Sequence, residues 1–260
     1  MRLSKSELKN HAHIQSMLAK KYEFDVKRVL SKAREVSGQN TLMLFGAIML
    51  TVAVFVALTF IFYAFIGIDI RDSSAEDIVA QLQNVDQTRF AIGELIMNVI
   101  LSPLLAGLVM LAINTVRNNG ISLFQVFAYI SYILPLGVAF VLINLAVSLG
   151  FALFVIPGFY LLMATTFALP LIVDKGVTPF SAIVLSVRMV NAYLFPFTIL
   201  FLIFVALLFG VIISFGFALI WVGPFYYNVK AVLYQDLFCG QEEDKQRTEN
   251  DPSQSGVFDA

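Results

Sequence analysis

The charge-free runs of this sequence constrain its fold more than any motif does. No Asp, Glu, Lys or Arg occurs between Thr41 and Ile68, a run of 28 residues. Leu95–Val116 is a second such run of 22, Asn118–Val173 a third of 56, and Met189–Val229 a fourth of 41. A helix needs about 20 apolar residues to cross roughly 30 Å of hydrocarbon. The runs therefore hold one, one, two and two spans. Lipid offers no hydrogen-bond partners to a backbone, so each span is expected to be helical. With 59% hydrophobic and 13% charged residues, too little polar surface remains to coat a water-soluble globule.

The reading is an all-α polytopic membrane protein with six transmembrane helices. The expected spans are about 41–66, 92–116, 131–153, 157–173, 195–213 and 215–236. A polar segment, 1–23, precedes the membrane domain of 24–238, and a disordered tail, 239–260, follows it. The segment of about 40 residues before the first run, polar and charged in character, does not resemble a cleavable signal peptide. Lys and Arg set the orientation: 15 of 17 fall on one side if both termini are cytoplasmic, leaving Arg71 and Arg89 outside.

An internal echo accompanies the spans. Gly120-Ile121-Ser122-Leu123-Phe124 resembles Gly176-Val177-Thr178-Pro179-Phe180, 56 residues later. Each opens a short stretch expected at the inner face, about 122–130 and 179–192, with Thr178 and Pro179 suited to N-cap and N1. A third copy fits 25–37, where Val26, Val29, Leu30, Ala33 and Val36 form a helical stripe capped by Asp25. The chain thus reads as three units of amphipathic helix plus transmembrane hairpin. Lys27, Arg28, Lys32 and Arg34 of the first helix suit either anionic headgroups or plain solvation on helices packed beneath the spans.

Phe24-Asp25-Val26, Ile156-Pro157-Gly158-Phe159-Tyr160, and Ala168-Leu169-Pro170-Leu171-Ile172-Val173-Asp174 followed by Thr178-Pro179-Phe180 resemble the YciC-like bacterial inner-membrane proteins. They are also similar to the membrane domain attached to some glycerophosphodiester phosphodiesterases. The likeness covers about residues 24–238. It implies six helices in a bacterial cytoplasmic membrane, no known membrane chemistry, and a loose tie to envelope or phospholipid biology. No catalytic residue carries over, and no phosphodiesterase domain is present.

Chemistry-bearing patterns are scarce. There is no HExxH, CxxC, Walker loop or GxSxG. His11 and His13 suit surface positions, and Cys239 has no activating neighbour in sequence. No cofactor, metal, catalytic set or nucleic-acid patch is expected. The expected partners are the bilayer and its anionic phospholipids, with room for a protein partner. Lys27, Arg28, Lys32, Arg34, Arg188 and Lys230 are the headgroup candidates. Glu94 and Asn144 are the intramembrane polar candidates, because polar groups are costly in lipid. Pro157 and Gly158 are the helix-break candidates, expected to form a tight outer turn, and Pro103, Pro135, Pro170, Pro196 and Pro224 are possible kinks. Gly210, Ser214 and Ala218 make a small-residue ladder that a turn could divide. Trp221, Tyr226, Tyr227 and Tyr234 read as an aromatic belt around Lys230.

These features favour a non-catalytic membrane protein with a binding or assembly role in envelope or phospholipid homeostasis. The competing expectation is a transporter or flippase for a lipid or apolar solute.

Overall fold

The computed structural model describes residues 24–69 and 74–239, and those residues are helical with no strand. The polar N-terminal segment 1–23, with both histidines, lies outside the described residues, as do Arg71 and the tail after Cys239. Five helical stretches are long and apolar enough to cross a membrane: Val26–Ile66, Gln87–Val116, Leu123–Leu153, Val155–Lys175 and Leu194–Ile213.

Helix α1 (Val26–Ile66) is one uninterrupted element of 41 residues, about 60 Å long at 1.5 Å per residue. The expected break between an amphipathic helix 25–37 and a first span is absent. Nothing in Val36–Asn40 stops a helix, since Gly38 adopts helical geometry and no Pro intervenes. Asp25 accepts from the Lys27 amide at 2.8 Å, and Gly67 closes the other end in the left-handed region at φ +85°. Helix α2 (Ala75–Gln83) leads to α3 (Gln87–Val116), whose first amides are capped by Asp86.

The expected inner-face helix 122–130 is two 3-10 turns, Leu123–Phe127 and Ile130–Tyr132. Their backbone lies tight on α3. A methyl group on Gly107 would collide with the Val126 backbone, and Val126 is fully buried. Helices α4 (Ile133–Leu153) and α5 (Val155–Ala164) follow, then α6 (Ala168–Lys175), α7 (Pro179–Ala192), α8 (Leu194–Ile213) and α9 (Leu219–Tyr234). A π turn, Gln235–Cys239, extends α9. Of the three segments of the expected repeat, 25–37 within α1 and 179–192 as α7 are α-helical, and 122–130 is not.

Proline placement corrects the reading of kinks. Pro135, Pro157, Pro170 and Pro196 are each the third residue of their helix, and Pro179 is the first of α7. The first turn of a helix has amides without intrahelical partners, so a missing N–H costs nothing there. Among the described residues, only Pro103 and Pro224 sit deeper inside helices. The α4–α5 turn is accordingly not at Pro157 but at the single extended residue Phe154, three positions earlier. Gly158 instead serves packing: its backbone meets Gly150 of α4, and an added methyl would strike the Phe151 ring.

The true interruption in the fourth stretch is at Thr165–Phe167. Ser186 of α7 bridges it, accepting from the Phe167 amide at 3.1 Å and donating to the Ala164 carbonyl at 2.7 Å. This fully buried hydroxyl replaces the helical partners lost at the break. Five residues on, Asn191 accepts from Tyr160 at 2.8 Å. Helix α7 therefore runs antiparallel to α5, with Ala182, Ser186, Met189 and Val190 buried.

Candidate functional site

Two polar clusters and one apolar groove stand out. The first cluster lies where α3, α6 and α9 end together. Arg117, just past α3, grips Asp174 with both amino groups, Nη1 to Oδ1 at 2.6 Å and Nη2 to Oδ2 at 3.0 Å. The Tyr234 hydroxyl donates to Asp174 Oδ2 at 2.9 Å, and Lys175 Nζ approaches it at 3.6 Å. Arg117 also donates to Gln235 Oε1 and to Cys239 Sγ, each at 3.1 Å. The pair's side chains are only 14% and 11% exposed. Burial alone would weaken the guanidinium's hold on its proton, but the Asp174 carboxylate outweighs it and raises the Arg117 pKa. Burial pushes the Cys239 thiol up, so it stays neutral. Both carboxylate oxygens accept hydrogen bonds from within the protein. This cluster staples three helix ends.

The second cluster joins α1 to α9. Asn40 and Asn228 exchange amide hydrogen bonds at 3.1 and 3.0 Å, and Asn228 also donates to Ser37 at 2.9 Å. Both Asn residues are buried. Higher up, Asn144 of α4 donates to Asn98 of α3 at 3.3 Å and to its own helix at Phe140. Each amide is answered by another, as membrane interiors require.

The groove opens between α5, α8 and α9, with a volume of about 520 Å³. Its walls are almost wholly apolar, with Phe159, Met163, Phe201, Val205 and Leu208 facing Val222 and Gly223. Its one charged lining residue is Lys230, whose Nζ lies 5.4 Å from the centroid of the Tyr226 ring. Thr166 and Phe167, at the break bridged by Ser186, also line it.

The remaining candidates scatter. Lys27, Arg34 and Arg188 are exposed, and Lys32 is half-buried. Arg28 pairs with Asp236 at 2.9 Å, tying α1 to the π turn. The α1 stripe is covered by protein, since Val29 and Ala33 are fully buried. Glu94 is exposed on α3, and Pro157 and Gly158 lie in the first turn of α5, past the break at Phe154. Of the aromatic residues expected around Lys230, Tyr226 packs beneath its ammonium, Tyr234 is buried on Asp174, and Trp221 stands nine residues away along α9, about 14 Å. Among the described residues no three His, Cys, Asp or Glu side chains gather as a metal site. Of the headgroup candidates, Lys230 lines the groove. No protein-family model, curated protein or solved structure matches the chain.

Proposed function

We propose that this chain is a non-catalytic protein of a bacterial cytoplasmic membrane that holds an anionic phospholipid. Its six apolar helices form three hairpins with both termini cytoplasmic, and its kinship is with the YciC-like proteins whose motifs it resembles. The groove with one cation at its mouth carries the proposal. Its volume falls within the roughly 300–1,000 Å³ of small-molecule sites. Apolar walls suit an acyl chain, and Lys230 suits the phosphate above it, at the end where the basic residues of α1 gather. A basic group near an anionic leaflet gains about 1 kcal/mol.

Native mass spectrometry of the full chain, released gently from membranes, tests this. The expected result is retained phosphatidylglycerol-type lipid, reduced about fivefold by Lys230→Ala and abolished by Val205→Trp, which fills the groove. Unchanged lipid retention in both variants overturns it. The transport reading draws on the broken stretch that lines the same groove, since broken helices bind cargo in some transporters. Lipid scrambling by reconstituted vesicles above protein-free ones would favour that reading.

A further inference from the structure

We infer that the α8–α9 hairpin does not cross the bilayer but enters from the cytoplasmic side and turns back inside the hydrocarbon. This rests on the membrane reading above and is independent of what fills the groove.

The argument begins with levels. Asn40 and Asn228 hydrogen-bond each other, so α1 and α9 share a height there. Beyond it α1 continues 26 residues to Ile66, about 39 Å at 1.5 Å per residue. In the same direction α9 has only the nine residues back to Leu219, about 14 Å. Helix α8 gives the same answer independently. Phe204 packs edge-on against Tyr226 at 5.1 Å, and nine residues remain from there to Ile213. Tilting α1 by 40°, near the limit for membrane helices, still leaves it about 30 Å tall. Leu42, Phe55, Phe60 and Phe65 keep α1 apolar and exposed along nearly that whole height. The hydrocarbon covering α1 therefore extends well past the tip of the α8–α9 hairpin.

The tip itself is built for lipid. Ile212, Ile213, Phe215 and Phe217 are exposed, Phe215 at 96%, and no charged residue lies between Met189 and Val229. The α1–α3 connection, which reaches farther, carries Asp69, Asp77 and Asp86. A turn in hydrocarbon must also close its own amides, because no water is there to do so. Every N–H from Ser214 to Val222 is bonded locally: Gly216 donates to the Val211 carbonyl at 2.8 Å, Ala218 to the Ser214 hydroxyl at 3.0 Å, and Val222 to the Ala218 carbonyl at 2.9 Å. The seryl oxygen supplies an acceptor that the turn's backbone does not. Ser214 is thus a turn closure, and the expected Gly210, Ser214, Ala218 ladder is split by the turn.

Two consequences follow. A hairpin that turns back keeps both termini on one side, so the orientation from Lys and Arg is unaffected. The groove, from Lys230 to Leu219 along α9, is about 16 Å long, which is the depth of one leaflet.

Depth-resolved quenching tests the inference. The chain has one Trp, at position 221. Trp221→Phe combined with Phe215→Trp moves the fluorophore to the tip and exchanges only lipid-exposed aromatic residues. The full chain would be reconstituted in phospholipid vesicles brominated either near the chain ends or near the headgroups. The expected result is about twofold stronger quenching by the chain-end bromines, near the midplane of a roughly 30 Å core. Native Trp221 should show the same order. Stronger quenching of the tip Trp by the headgroup-proximal bromines puts it at an interface and overturns the inference while leaving membrane insertion intact. Absence of quenching by either lipid overturns both.

Discussion

Removing the Asp174 carboxylate should be among the most damaging single changes in the membrane domain. Asp174→Ala takes two charged hydrogen bonds from Arg117 and one acceptor from Tyr234. The Gln235 amide and the Cys239 sulfur, both uncharged, stay beside the guanidinium. With side chains only 14% and 11% exposed, solvent screens the pair little. Breaking a buried ion pair from one side costs about 3–5 kcal/mol, or roughly two to three and a half powers of ten in the unfolding constant. Losing an ordinary interhelical amide bond costs far less, about 0.6 kcal/mol and at most about 1.7. Reversible unfolding in mixed micelles of mild detergent and SDS, followed by Trp221 fluorescence, reads both. Asp174→Ala should shift the transition several times farther than Asn144→Ala. The double variant Arg117→Leu/Asp174→Leu removes both charges. It should recover to within about 2 kcal/mol of the parent, the residue being the unpaired Tyr234 and Gln235 groups. A single variant costing less than about 1 kcal/mol, or a double variant no better than the single, would refute the staple.

Ser186→Ala should cost about 2 kcal/mol, because it leaves a buried amide and a buried carbonyl unanswered. Faster hydrogen exchange at Phe167 than at neighbouring amides would localise the loss. Gly107→Ala should destabilise by 2 kcal/mol or more, since the obstacle is the Val126 backbone and not a mobile side chain; Gly210→Ala, where an added methyl meets nothing, should be nearly silent in the same assay. Cys239 should label slowly with maleimide at neutral pH and faster as pH rises past the usual thiol range. Burial raises its folded pKa, so its neutral form contributes stability below the unfolded pKa that is lost as pH climbs through the raised one.

The helices were legible because hydrocarbon imposes a crude rule: charge-free runs of sufficient length. Asp25 and Asp86 mark their helix starts by ordinary capping, and five prolines stand in first turns where the missing amide is harmless. Pro179 is expected at a first helical position and stands there, whereas Pro135, Pro170 and Pro196, expected as possible kinks, hold first-turn positions set by helix boundaries that composition does not reveal. The continuity of α1 was hidden by composition, because basic residues on one face of a helix do not interrupt its backbone. The Arg117–Asp174 staple joins residues 57 apart in sequence, which no periodicity reveals. A signal did exist: each is the first charge after a long apolar run, and the orientation puts both on the same side. Ser186 could not have been found, since its role depends on a break at Thr165–Phe167 that carries no Gly or Pro. The shortness of α9 escaped because the charge-free run from Met189 is long enough for two full spans, and only the Asn40–Asn228 contact reveals how little of it rises above that level.

Protease protection in sealed spheroplasts tests the membrane arrangement most directly. Epitope tags would be placed at the N-terminus, at the C-terminus and beside Ser74 in the α1–α3 connection. The account predicts that externally added protease removes the Ser74 tag and spares both terminal tags until the membrane is opened. Loss of either terminal tag in intact spheroplasts, or survival of the Ser74 tag, would contradict it.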